Sequence, residues 1–208
     1  MADSRLSEVA DRTWVGVAPL LGAQGPPHPA DAAAAAAMAP WRAGEFLAGR
    51  HLLRAALREL FPRAADSGVR AGENGKPYLA DRHDLGISIS HDGGVVAVCV
   101  AEGRAVGVDV QQPPAALHRA LARRCLRGAA AELDRLPERA AAAELAWVWT
   151  VQESCVKATG EGMSGCPWSI DVPSGRGRGR WGDYEWVSLR EQSAVPLSCA
   201  FGPPKEET

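Results

Sequence analysis

The chain has 208 residues, 46% hydrophobic and 23% charged, with 23 Lys+Arg against 25 Asp+Glu for a formal net charge of −2. That length and balance describe a folded chain of one large or two small domains and exclude an intrinsically disordered one. They also exclude a global basic field able to hold a nucleic-acid backbone, and no run approaches the ~18 apolar residues of a membrane span. The five cysteines (Cys99, Cys125, Cys155, Cys166 and Cys199) form no CxxC pair. An odd, scattered set reads as reduced thiols, not as a disulfide frame or a zinc site. The opening MADSRLSEVADR is charged where a secretory signal needs an apolar core, so a cytoplasmic protein is expected.

In chain order, TWVGVAPL (13–20) reads as a short strand closed by Pro19, and 22–40 as a Pro-, Gly- and Ala-rich connector with room for a short helix. From Trp41 to Phe61 the apolar residues 46, 47, 52, 53, 56, 57 and 60 have helical spacing, with Arg50, Arg54 and Arg58 on one face and Pro62 as terminator. GENGKPYLA (72–80) is a turn followed by an extended piece, because Pro77 disfavours helical geometry at Lys76. GISIS (86–90), VVAVCVA (95–101) and VGVDV (106–110), separated by Gly-containing turns, predict a three-stranded antiparallel meander. Its first and third strands point the same way, which puts His91, Asp92, Asp109 and Gln111 on one edge. Pro113 and Pro114 are expected to open a helix through about Leu126, and a stronger helix runs from Pro137 to about Thr159 before GEGMSG. WGDYEWVSL (181–189) and VPLSCAF (195–201) return to strand. The expected architecture is α+β: two similar halves, 1–111 and 112–208, each a small antiparallel sheet packed with a long helix.

Only three of the 23 cations are lysine, Lys76, Lys157 and Lys205, and two of these fall inside motifs. On helix 137–159, Trp149, Glu153 and Lys157 recur at i, i+4 and i+8. A surface Glu–Lys pair would contribute only ~0.3–0.5 kcal/mol. The neighbours Trp147, Val148, Val151, Cys155 and Val156 make this helix largely buried, however, and a buried acid and ammonium need specific partners. Asp109 at a strand end, His91 after SISIS and Asp92 in a DGG turn are each weak signals. Together they bring one imidazole and two carboxylates near Glu153, an oxygen-rich set suited to Mg²⁺ rather than zinc. From Arg50 to Arg82 seven cations face four acids. Cations around a carboxylate cluster suit a polyphosphate substrate.

The ordered set GENGKPYL (72–79), SISHD (88–92), VGVDVQ (106–111) and WTVQESCVK (149–157) resembles the 4′-phosphopantetheinyl transferases of the surfactin-synthetase-activating (Sfp-type) class. The resemblance covers roughly half of the chain. It implies a two-half, monomeric enzyme that transfers phosphopantetheine from coenzyme A to a serine of an acyl or peptidyl carrier protein, leaving adenosine 3′,5′-bisphosphate. By the same resemblance Lys76, Ser90 and His91 contact the coenzyme's phosphates, with Ser90 and His91 near the 3′-phosphate. Arg50 or Arg54 adds a further phosphate contact. Asp109 and Glu153 hold Mg²⁺, Lys157 sits on the diphosphate and can donate to the leaving phosphate, and Glu153 is the candidate base. The chain departs from the family pattern at Gln111, where many members carry a second carboxylate, and at Gln152, where many carry lysine. Asp92 is therefore expected to complete the metal set.

The two glutamines keep a second reading open, a non-catalytic coenzyme-A or carrier-protein binding module. A third, a Mg²⁺-dependent phosphohydrolase, has no motif beyond the same carboxylates. Carrier docking is expected on Leu117, Leu121, Arg123 and Arg124 or on the linker 127–139, unless those leucines belong to the core.

Overall fold

The structure, a computed structural model, describes residues 5–20 and 25–204. The expected connector's residues 22–24, the first four residues and Lys205 lie outside them. Two four-stranded antiparallel sheets are each backed by one long helix, giving the expected α+β class. The first sheet has the order β1 (Arg5–Ala10), β2 (Thr13–Pro19), β6 (Val95–Glu102), β5 (Leu85–Asp92). Helix α2 (Pro40–Leu60) lays Leu52, Leu53 and Leu57 against Ile87, Val96, Val98 and Val100 of that sheet. The second sheet has the order β7 (Val106–Val110), β10 (Leu197–Phe201), β9 (Tyr184–Ser188), β8 (Arg178–Trp181). It is covered by α5 (Glu138–Thr159), through Leu145, Val148, Val151 and Cys155.

Between the sheets Ala97, Cys99 and Ala101 meet Val106, Val108, Val110 and Cys199. Strand β6 is thus buried on both faces, its valines toward α2 and its small residues toward the other sheet. That asymmetry corrects the predicted meander. Small side chains on β6 let β7 pack face to face across it, and β7 pairs with β10 instead, from Val106 opposite Phe201 to Val110 opposite Leu197. The chain therefore passes from one sheet to the other within 103–105, ahead of residue 111.

Strands β5 and β7 nevertheless run side by side in the same direction, joined by side chains where a ladder would use backbone. Val108 N–H donates to Ser88 Oγ (3.0 Å), Val110 N–H to Ser90 Oγ (3.4 Å) and Gln112 N–H to Asp92 Oδ2 (2.6 Å). The alternation S-x-S-x-D, one face of a strand, is this seam.

The short helix in the connector is α1 (Pro29–Ala35), capped by His28 Nδ1 accepting from Ala30 N–H. The hairpin β3 (Val69–Ala71) and β4 (Pro77–Leu79) forms a separate two-stranded piece. The prolines at 113 and 114 do not open a helix: consecutive prolines hold the chain extended. Helix α3 (Arg119–Leu126) begins after His118, whose Nδ1 accepts from Leu121 N–H. Helix α4 (Ala130–Leu133) follows. Leu117 and Leu121 pack into the core around α5, which removes Leu117 as a docking contact. Arg123 is exposed, and Arg124 stacks 3.6 Å over Trp168. Among the described residues no helix is long and apolar enough to cross a membrane, and all five cysteines are free thiols.

Candidate active site

Four elements converge where the two halves meet: the end of β5, the end of β7, the last two turns of α5 and the tip of the β3–β4 hairpin. Gly107 sets the first distance. A Cβ there would lie 2.0 Å from the carbonyl oxygen of Ser154 and 2.5 Å from the amide nitrogen of Ala158, so α5 seats directly on the β7 backbone. Two residues on, Asp109 is 6% exposed and points toward the same helix. Lys157 Nζ donates to Asp109 Oδ1 at 2.6 Å and to Ser90 Oγ at 3.0 Å, and Ser90 Oγ donates to Asp109 Oδ1 at 2.8 Å.

Glu153, one turn before Lys157, shares a cavity of about 240 Å³ with Lys157, Asn74, Lys76, Ser88, Ile89 and Met163. Burial raises its carboxyl above the usual glutamate range, the charge of Asp109 raises it further, and Lys157 opposes both. Two neighbouring carboxylates, all of whose ligand atoms are oxygen, fit a hard cation. Mg²⁺ keeps several waters and takes just one or two protein carboxylates beside substrate phosphates, so this pair suffices. The trio expected around the ion does not assemble: among the described residues no three His, Cys, Asp or Glu side chains gather at metal-binding range. Asp92 is drawn instead into the seam with Gln112 N–H, and Gln111, just past β7, donates its own N–H to Pro196 O.

Lys76 reaches across from the first half. Its Nζ donates to Ala158 O, and Asn74 Nδ2 donates to Gly160 O at 3.1 Å. The hairpin tip so caps the negative end of α5. Gly160 takes the left-handed conformation that ends the helix (φ 83°) and leaves the groove open beside it. A second cavity of about 270 Å³ shares Gly75, Pro77 and Ile89 with the first and adds Arg42, Glu45, Phe46, Arg50 and His91, so the two adjoin.

His91 faces Glu45, Nδ1 to Oε2 3.6 Å, a neighbour that the sequence reading missed. Helical spacing put 45 and 50 on α2, but nothing in the residues said which strand that face would meet. Arg50 has a buried Nη1 with no hydrogen-bond partner among the described residues, and burial lowers its pKa from the ordinary arginine value. An unpaired buried guanidinium nitrogen is costly until an anion meets it. Arg54, the other arginine offered, is 4% exposed and committed elsewhere. Its Nε and Nη2 grip Asp31 of α1 at 2.5 and 3.2 Å, and Nη1 binds Ala65 O at 2.8 Å. These bonds engage most of its donors within the first half.

Gln152 is fully buried on another face of α5, its Nε2 donating to Cys125 O (3.0 Å) and Ile170 O (2.8 Å). The glutamine there ties α5 to its neighbours and takes nothing from the groove.

Comparison with protein-family models gives two matches: residues 30–101 match the 4′-phosphopantetheinyl transferase N-terminal domain, and residues 105–195 match the 4′-phosphopantetheinyl transferase superfamily. Together they span more than three-quarters of the sequence and break where the chain passes between sheets. No curated protein matches the chain.

Proposed function

From a chain that belongs to the 4′-phosphopantetheinyl transferase superfamily, and is such an enzyme, acting on carrier proteins, we propose a specific reaction: Mg²⁺-dependent transfer of phosphopantetheine from coenzyme A to a carrier-protein serine. We further place it in the two-half, Sfp-type class, working as a monomer in the cytoplasm. The observation that carries the reading is the cluster Asp109–Ser90–Lys157, whose Lys157 lines one cavity with Glu153 and Lys76, next to a second cavity lined by Arg50 and His91.

Asp109 and Glu153 would hold Mg²⁺. The ion would supply charge neutralisation on the coenzyme's diphosphate. The rest of the chemistry belongs to side chains. Lys157 has three donors and directs two of them at Asp109 and Ser90; the third serves the diphosphate. Lys76, Arg50 and His91 hold the remaining phosphates. The carrier's serine oxygen attacks the phosphorus that bears the pantetheine. The bond from that phosphorus to the bridging oxygen breaks, and adenosine 3′,5′-bisphosphate departs with its new charge met by Lys157. The serine proton goes to Glu153, the carboxylate that lines the cavity beside Lys157. No nucleophile of the enzyme's own is needed.

The test is a release assay with coenzyme A, Mg²⁺ and an apo carrier protein. Adenosine 3′,5′-bisphosphate should appear only when the carrier is present, and Glu153→Gln should lower kcat by about 10²–10⁴-fold, the range for loss of a general base. Release without carrier would indicate a hydrolase, and coenzyme binding without any release would indicate a binding module.

A further inference from the structure

Helix α2 lies hard against the end of β5. A Cβ on Gly49 would come within 2.8 Å of Ile89 Cγ2, so the helix sits where β5 carries Ile89 and, two residues on along the same face of the strand, His91. One turn before Gly49, Glu45 reaches that histidine: its Oε2 stands 3.6 Å from Nδ1, an ion-pair distance. Both side chains are partly exposed, and both line the cavity that holds Arg42 and Arg50. Among the described residues of that cavity Glu45 is the one acid. A carboxylate in a cavity of cations repels a bound phosphate unless a neighbour balances its charge.

We propose that Glu45 is a positioning residue that acts on the coenzyme through His91. A carboxylate only accepts, so the Nδ1 proton goes to Glu45 and Nε2 is the nitrogen left for the cavity. A phosphate also only accepts, so Nε2 meets it as an N–H. His91 then carries a positive charge, which Glu45 balances from the Nδ1 side. The inference rests on the reading above, in which these cavities hold coenzyme A with His91 near its 3′-phosphate. Three roles for the acid differ in what its removal does. If Glu45 orients His91, its loss weakens the coenzyme only where both the 3′-phosphate and the imidazole are present. If it touches the ribose or the base, its loss weakens the coenzyme with or without that phosphate. If it is a bare charge, its loss removes a repulsion and tightens the coenzyme. Arg42 stands one turn before Glu45 on the same helix, yet among the described residues the ion pair that Glu45 makes is to His91, on another element. That choice of partner favours the first role.

The experiment is a double-mutant cycle on coenzyme binding, read by calorimetry so that no turnover is required. Wild type, Glu45→Ala, His91→Ala and the double variant are each titrated with coenzyme A and with dephospho-coenzyme A, which lacks the 3′-phosphate. Glu45→Ala should raise the Kd for coenzyme A about three- to fivefold, the upper range for a partly exposed ion pair, and leave that for dephospho-coenzyme A near the wild-type value. In the His91→Ala background the same substitution should cost coenzyme A nothing. Glu45→Gln, which keeps an acceptor oxygen at the same reach, should lose less than the alanine variant and guards against a fault of folding in it. Equal weakening of both coenzymes overturns the proposal in favour of a contact to base or ribose. Tighter coenzyme A in Glu45→Ala overturns it in favour of bare repulsion, and an undiminished loss in the His91→Ala background shows that Glu45 does not act through the imidazole. Any of these leaves the activity standing if the wild type still transfers phosphopantetheine to an apo carrier protein. Wild-type protein that binds neither coenzyme overturns the activity reading and this proposal with it.

Discussion

Glu153 is a carboxylate whose charge its surroundings oppose, through burial first and then Asp109. The consequence for stability has a definite sign. A glutamate whose folded pKa lies above its unfolded value of about 4.3 binds more protons in the folded state between the two, so stability falls as pH rises through that window. In metal-free buffer at pH 7 Glu153→Gln should therefore melt above wild type, by about 2–4 °C for each kcal/mol of relieved strain in a chain of this size. The gain should disappear as pH falls toward the ordinary glutamate value. Added Mg²⁺ should reverse the order, because only the wild type keeps both carboxylates to bind it. Melting curves at a series of pH values, with and without Mg²⁺, check this. The two arginines divide in the same physical way. Arg50 lines the cavity that holds His91 and has a buried nitrogen with no hydrogen-bond partner among the described residues, so Arg50→Ala should raise KM for coenzyme A about ten- to hundredfold, the worth of a hydrogen bond to a charged group, with little loss of stability. Arg54 is buried against Asp31, and Arg54→Ala should lower stability by about 3–5 kcal/mol by stranding that carboxylate. Denaturant midpoints and coenzyme KM values for the two variants should move in opposite patterns.

At the level of elements, the contact between α5 and β7 decides whether the site exists. Gly107 permits it, and the expected clash with Ser154 O and Ala158 N means that even a methyl group must lift the helix. Gly107→Ala should cost at least the ~1–3 kcal/mol of an overpacked core. It should also uncouple Lys157 from Asp109, so that kcat falls while the KM for coenzyme A, set largely by Arg50, Lys76 and His91, changes less. Steady-state kinetics beside a denaturation curve separates the two effects. The helices α2 and α5 were legible because apolar spacing, Pro40 or Pro137 at one end and Pro62 or Gly160 at the other all agree. Strands β1 and β8 were missed: RLSEVA and RGRW are edge strands of mixed or polar composition, each paired only with the strand that follows it across a two-residue turn, and neither shows the apolar alternation that marks a strand. The meander was misread for a related reason. Alternation told that β7 is a strand and that its end lies beside the end of β5, but not that small residues on β6 would let it cross into a second sheet.

Across the whole molecule, the site depends on both halves at once. Lys76 and the serine seam come from the first, Asp109, Glu153 and Lys157 from the second, and the hairpin tip is fastened to the end of α5 by Asn74 and Lys76. Motif residues separated by more than 80 positions could be recognised together only because their order and types resemble a family. The place of Arg54 in a buried ion pair, the seam role of Asp92 and the core role of Gln152 depended on packing that no motif encodes. The remaining buried chemistry is inert: desolvation pushes Cys125 up to about 11 and Cys155 and Cys199 up to about 12, so these thiols stay protonated at neutral pH. The central claim is that this groove moves phosphopantetheine onto a carrier serine, and intact-mass analysis of an apo carrier protein incubated with coenzyme A, Mg²⁺ and the enzyme tests it most directly. The account predicts a gain of one phosphopantetheine group, abolished by a chelator, by Glu153→Ala and by replacement of the carrier's serine. An unchanged carrier mass across fatty-acid, polyketide and peptide carriers, from protein that still binds coenzyme A, would contradict it.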